Sequence, residues 1–131
     1  MLKKIVAVTF LTMLPVGAFA DVAGDAEAGE KVFRKCKACH DVGAEAKNKV
    51  GPVLNGIVGR AVGAVPDFKY SSVLSDMGAA GKTWTPEELT AFLEKPRDYA
   101  KGTKMSFAGL RKEDDRVNII AYLATLEEGG S

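Results

Sequence analysis

The 131-residue chain has one histidine, His40, two cysteines, Cys36 and Cys39, and one tryptophan, Trp84. Each shortage closes off some chemistry. A structural zinc site takes four ligands drawn mainly from Cys and His, and no others exist here. A single histidine also rules out two histidines of one chain on the same metal. Long apolar runs are missing too: the one stretch of note, Ile5 to Leu14, falls short of the roughly 20 residues that span a bilayer. Charge of one sign is not in excess. Removing Lys3 and Lys4 from the 18 basic residues leaves 16 against 17 acidic ones, which argues against nucleic acid as a partner. No internal repeat, low-complexity tract or βαβ pattern is visible.

What is present is Cys36-Lys37-Ala38-Cys39-His40. C-x-x-C-H is the attachment signature of a c-type haem: two thiols add to the two vinyl groups and the adjoining histidine becomes the proximal iron ligand. Both cysteines lie on one side of a helical turn, so both sulfurs reach one edge of a porphyrin. The competing readings are a redox dithiol and half of a zinc site. The first usually accompanies a βαβ pattern and the second lacks ligands.

Residues 1–20 have the build of a secretory signal peptide, with Lys3 and Lys4, an apolar run and an Ala18-Phe19-Ala20 cleavage site. Cleavage after Ala20 leaves residues 21–131 as one small domain in the periplasm, with a retained anchor as the alternative. Asp25 is placed to cap a first helix, with Gly29, Val32, Phe33 and Cys36 on its buried face. Gly29 there suits a close helix crossing. Some 30 glycine-rich residues after His40 read as loops over a cofactor. Within them the carbonyl of Pro52 is the candidate acceptor for the second ring N–H of His40. Ser71 to Met77 reads as a short helix ended by Gly78. Thr85-Pro86-Glu87-Glu88 reads as a helix start, with Thr85 as cap and Glu88 completing a capping box, and Pro96 stops that helix. Arg111 to Glu127 forms the last helix, with Val117, Ile120, Leu123, Ala124 and Leu126 facing inward. The whole is an all-α domain wrapped on one cofactor.

A haem with one protein ligand binds gases or peroxide, whereas one with two mainly moves electrons. After cleavage Met77 and Met105 are the available thioethers. The segment from Lys101 to Gly109 has no periodicity and can lie flat against a haem, which favours Met105. Met77 stays open as the alternative, and Lys104 is a third choice that must first lose a proton.

Taken together, Gly29, Phe33, Cys36 to His40, Gly51-Pro52, Gly59-Arg60, Phe68-Lys69-Tyr70, Trp84-Thr85, Leu93 to Pro96, Gly102 to Gly109 and Ala121-Tyr122-Leu123 resemble a class I cytochrome c. The likeness is to small bacterial periplasmic cytochromes of the c2 and c550 type and to mitochondrial cytochrome c. The resemblance implies an all-α fold with crossing first and last helices and short helices and loops around one covalent haem c. It implies His40 and Met105 as axial ligands, the Pro52 carbonyl holding His40, and Arg60, Tyr70 and Trp84 around a buried propionate. The insertions that larger c2 relatives carry before the methionine segment are not seen. Where many relatives have a tyrosine near the methionine sulfur, this chain has Phe92. Lys35, Lys49, Arg97, Lys104, Arg111 and Lys112 match positions around the exposed haem edge where the family docks partners; from spacing alone they are equally a solvated surface. The function implied is a monomeric electron carrier and not an enzyme, with no small-molecule substrate. Its donor would be a membrane quinol-oxidising cytochrome complex, its acceptor a reaction centre, oxidase or reductase. The rival functions are an open-haem enzyme or gas sensor and a thiol–disulfide oxidoreductase.

Overall fold

The computed structural model describes residues 22–127; the proposed leader, residues 1–20, and its cleavage point lie outside the described residues. Five helices follow in order: α1 (Ala26–Phe33), α2 (Ser72–Ala79), α3 (Pro86–Glu94), α4 (Pro96–Tyr99) and α5 (Glu113–Ala124). Among the described residues there is no strand, only one isolated antiparallel bridge between Ala61 and Thr83. The all-α expectation is what the chain adopts.

The first helix starts where the residues favour it. Asp25 accepts hydrogen bonds from the backbone N–H groups of Glu27 and Ala28, and Glu27 lies at the positive end of the helix dipole. Gly29 is buried, and a Cβ there would lie 2.6 Å from the carbonyl carbon of Asn118 and 2.8 Å from Cβ of Tyr122, both on α5. The two helices therefore cross backbone to backbone. Asn118 strengthens the contact by accepting from the Asp25 N–H at 2.9 Å, and the rings of Phe33 and Tyr122 meet at 5.5 Å. The crossing fixes where α1 ends, and the Cys36–His40 turn follows directly.

Three local expectations are corrected. The second helix does not stop at Gly78: it continues to Ala79, and Gly78 is needed because a Cβ would collide with the Val62 carbonyl, whose carbon lies 3.1 Å away. Gly78 thus serves close packing, and the chain turns at Gly81, with φ +85°. At α3, Thr85 caps as expected, accepting from Glu88 N–H at 3.1 Å. The reciprocal half of the capping box is missing, because Thr85 N–H donates to the Thr83 carbonyl and the Glu88 carboxylate engages the Tyr99 hydroxyl and Lys82. Finally, the last helix spans Glu113–Ala124, and its buried residues are Arg116, Ile119, Ile120, Ala121 and Leu123. The inward stripe is thus centred about one residue earlier than expected and contains a charge.

Gly29→Ala tests the crossing through its sign. In most helices Ala is more stable than Gly by roughly 0.5–1 kcal/mol, whereas here the added methyl meets main chain and should cost about 2–3 kcal/mol. Urea unfolding is the measurement; an unchanged or higher midpoint would show that α1 and α5 are free to separate.

Candidate functional site

A cavity of about 440 Å³ lies at the centre of the domain, within the range of roughly 300–1,000 Å³ typical of ligand sites. Segments far apart in the chain contribute to its lining: Cys36, Cys39 and His40 after α1, Gly51 and Pro52 in the following loop, Leu89, Phe92 and Leu93 from α3, residues 103–107, and Ile119 and Leu123 from α5. The lining is mostly apolar.

The Cys36–His40 segment is a single helical turn, closed by a hydrogen bond from His40 N–H to the Cys36 carbonyl at 2.9 Å. His40 Nδ1 lies 2.8 Å from the Pro52 carbonyl oxygen. A carbonyl only accepts, so the proton sits on Nδ1 and the Nε2 lone pair is left unprotonated. Burial holds the His40 pKa below its ordinary value, against the opposing effect of the Pro52 hydrogen bond, with Lys49 adding to the depression. The ring is therefore a neutral donor at pH 7. Gly51 presses on it from the side: a Cβ there would stand 2.7 Å from Nδ1 and 2.8 Å from Nε2. Burial also pushes the Cys36 thiol up to about 11, although Lys35 works in the other direction. Reactive redox cysteines have lowered pKa values, the opposite of the shift at Cys36. Among the described residues no cluster of three or more His, Cys, Asp or Glu is placed to hold a metal ion, which leaves the zinc reading without ligands.

Arg60, Tyr70 and Trp84 all line the cavity. The Ala61–Thr83 bridge brings two of them side by side, since Trp84 N–H donates to the Arg60 carbonyl at 2.8 Å. Arg60 donates through its guanidinium to the carbonyls of Asn55 and Val53. The Tyr70 oxygen accepts from Val65 N–H at 2.9 Å, which leaves its own hydrogen to donate. Burial raises the Tyr70 pKa, with the Val65 bond and Arg60 pulling the other way, so the phenol stays protonated. Met105 and Phe92 line the same cavity, whereas Met77 packs against the core without lining it. Of the six basic residues expected around the edge, Lys35 and Lys104 line the cavity, and all six are exposed. Lys49 is tied to the Lys37 carbonyl at 2.8 Å and Arg97 to the Ser106 carbonyl at 2.6 Å. Arg111 and Lys112 lie just before α5 and are not among the residues that line the cavity.

The family model described as cytochrome c matches residues 26–127, from the first helix through the last. The chain belongs to the cytochrome c family. It is 49% identical over 100 residues to the cytochrome c2 of Agrobacterium tumefaciens (strain II Chrys), covering 76% of this chain and 90% of that protein. It is 50% identical over 103 residues to the cytochrome c-550 of Ancylobacter novellus, covering 79% and 96%. The solved structure of cytochrome c2 from Rhodospirillum centenum superposes with a TM-score of 0.74 at 42% identity, over 79% of this chain and 99% of that one. The fold is that of a class I cytochrome c. As in other cytochromes c with one C-x-x-C-H motif, a single haem c is held covalently through Cys36 and Cys39, and the protein is a single-haem electron carrier.

The residues fit that group. Two sulfurs, one neutral imidazole nitrogen and a thioether share a predominantly apolar cavity, and a few polar donors are set among them. An apolar space of this size inside a small domain leaves its lining without packing partners unless something fills it. A large apolar occupant is thus a structural component of this cytochrome c.

One residue with a clear position escaped the sequence reading. Arg116 is 8% exposed and donates through Nη1 to the carbonyls of Leu110 at 2.7 Å and Arg111 at 3.0 Å. The signal was present: Arg116, Ile119, Ile120 and Leu123 follow the i, i+3, i+4, i+7 spacing of a buried stripe. A charge at the head of such a stripe asks for a carbonyl partner.

Gly51→Ala is expected to destabilise the protein by about 2–3 kcal/mol and to break the Nδ1–Pro52 contact, since the imidazole is the only group free to give way. The His40 ring N–H proton, followed by NMR, should lose its protection from exchange. A ring proton as protected as in the parent would show that the glycine does not confine the histidine.

Proposed function

We propose that this cytochrome c is a periplasmic, monomeric electron shuttle with His40 and Met105 as axial ligands. The supporting observation is that the imidazole with its free Nε2 and the Met105 segment line one cavity, while Met77 does not. The haem, once attached, supplies a one-electron Fe(III)/Fe(II) couple.

The chain's own residues then do four things. Pro52 and Gly51 hold the His40 ring in one tautomer and one orientation. The Met105 thioether would hold the iron as a soft ligand, the kind that favours the ferrous state and a higher potential. Arg60, Tyr70 and Trp84 offer hydrogen bonds to a buried propionate, which would otherwise be a charge without partners in an apolar site. The apolar lining from α3 and α5 excludes water and leaves little to rearrange between the two oxidation states. Phe92 fills space beside this site without adding a polar atom.

Lys35 and Lys104, at the cavity mouth, form the centre of a docking face, with Lys49, Arg97, Arg111 and Lys112 further out. Such a face attracts an acidic partner and speeds encounter. The donor we propose is a membrane quinol-oxidising cytochrome complex; the acceptor is a reaction centre, terminal oxidase or reductase. Export by residues 1–20 with cleavage after Ala20 puts the carrier in the compartment where those complexes expose their docking sites. Among the described residues no helix is long and apolar enough to cross a membrane.

Two experiments test this reading. Met105→Ala should abolish the weak methionine–iron absorbance of the ferric protein and allow carbon monoxide to bind the ferrous one, with Met77→Ala behaving as the parent. The reverse pattern would assign the ligand to Met77, and carbon monoxide binding by the unmutated protein would favour an open-haem enzyme. Separately, the rate of electron transfer to an isolated quinol-oxidising complex should fall as salt rises from about 0.01 to 0.15 M, where the screening length shortens from about 30 to 8 Å. Lys35→Glu or Lys104→Glu should flatten that dependence. A rate indifferent to salt would remove the basic face from the mechanism.

A further inference from the structure

The segment carrying Met105 has no secondary structure of its own between α4 and α5, so other parts of the fold must hold it. Its two sides are held very differently. Before the methionine the contacts are light: Thr103 N–H reaches the Ala100 carbonyl at 2.9 Å, Met105 N–H the Thr103 hydroxyl at 3.3 Å, and Lys104 Nζ the Lys69 carbonyl at 3.3 Å. After it, three elements converge. Arg97 of α4 donates to the Ser106 carbonyl at 2.6 Å. Leu110 N–H donates to the Leu93 carbonyl of α3 at 2.7 Å, where Gly109 at φ +112° lies flush against Glu94. Arg116 of α5 takes the Leu110 and Arg111 carbonyls, and both Arg116 and Leu110 are buried.

We propose that Arg97 and Arg116 are positioning residues which anchor the carbonyls of the Met105 segment from two different helices and so set how readily Met105 yields its place to a competing ligand. This rests on Met105 being the axial ligand. It also gives Arg97 a role in holding the Met105 segment beside its place on the docking face. The guanidinium is the right group, because its donors lie in a rigid plane and it stays charged at any working pH. A lysine at either position keeps the charge and loses the fixed fork. Release of the thioether requires residues 103–106 to withdraw, and anchors at Ser106 and Leu110 keep that withdrawn state rare. The apparent affinity of an added ligand scales with the withdrawn fraction.

The test uses the ferric holoprotein, titrated with imidazole at neutral pH and constant ionic strength and followed by absorbance, with urea stability measured on each variant. Imidazole affinity should rise about tenfold in Arg116→Lys and about threefold in Arg97→Lys, the range that the net contribution of one ordinary hydrogen bond supports, since lysine keeps the charge. The exposed loop cation Lys101 provides the control, and Lys101→Gln should bind as the parent does. If Arg116→Lys yields no folded protein, the surface variant Arg97→Lys decides alone. Variants that lose urea stability yet bind imidazole as the parent does would overturn the proposal, since the arginines would then be structural only. Met105→Ala separates the two ideas. Stronger imidazole binding there with unchanged arginine variants removes the anchors and keeps the ligand, whereas unchanged binding in Met105→Ala removes both.

Discussion

The structure depends on residues 22–127 closing around an apolar space of about 440 Å³. Side chains that would meet each other in a helix bundle face that space instead. Ile119 and Leu123 of α5 and Leu89, Phe92 and Leu93 of α3 line it from below the surface. The haem completes this core, which is why a covalent attachment through two cysteines serves folding as much as chemistry.

The glycines make the enclosure possible at places where main chain must touch main chain or ring. Gly29 lets α1 and α5 cross without an intervening side chain, Gly78 lets α2 lie on the Val62 carbonyl, and Gly51 lets the loop press on the His40 imidazole. The three contacts act on different scales but in one direction. The helix crossing sets where the Cys36–His40 turn begins, and the loop contact sets how its histidine is rotated. An attachment motif on a freely moving turn would bind a haem without holding the iron in one geometry.

Backbone carbonyls hold the main polar groups in and around the site. The acceptors for His40, Arg60, Arg97 and Arg116 are carbonyls of Pro52, Asn55 and Val53, Ser106, and Leu110 and Arg111. Carbonyl dipoles satisfy a buried donor without introducing a second charge to desolvate. They also turn irregular loops into defined structure, because each bond fixes a segment that lacks periodicity of its own. The Trp84, Phe92 and Tyr99 rings, with Trp84 and Phe92 at 5.0 Å and Phe92 and Tyr99 at 5.7 Å, pack together in the same region, and the Tyr99 hydroxyl is satisfied by Glu88.

Most local elements were legible in the residues, since caps and helix periodicity act over a few positions: Asp25 and Thr85 cap as their types require and Pro96 ends α3, though the short α4 that Pro96 opens was not read from the sequence. The haem attachment was legible for the same reason, with all its chemistry inside five consecutive residues. Contacts between distant segments were not. Gly78 reads as a helix stop in one dimension and is a packing surface for Val62 in three. Glu88 has the spacing for a capping box, yet Tyr99, eleven residues on, and Lys82 take its carboxylate. Arg97 reads as one more exposed cation and binds the Ser106 carbonyl, and Arg116, not singled out in the sequence, lies buried on two loop carbonyls. By itself the sequence determined which cofactor is attached, where the helices form and which few residues were eligible to reach the cofactor. Only the tertiary structure decided which carbonyls hold those residues, because a loop carbonyl has no side-chain identity and becomes a specific partner only when the chain has folded around it.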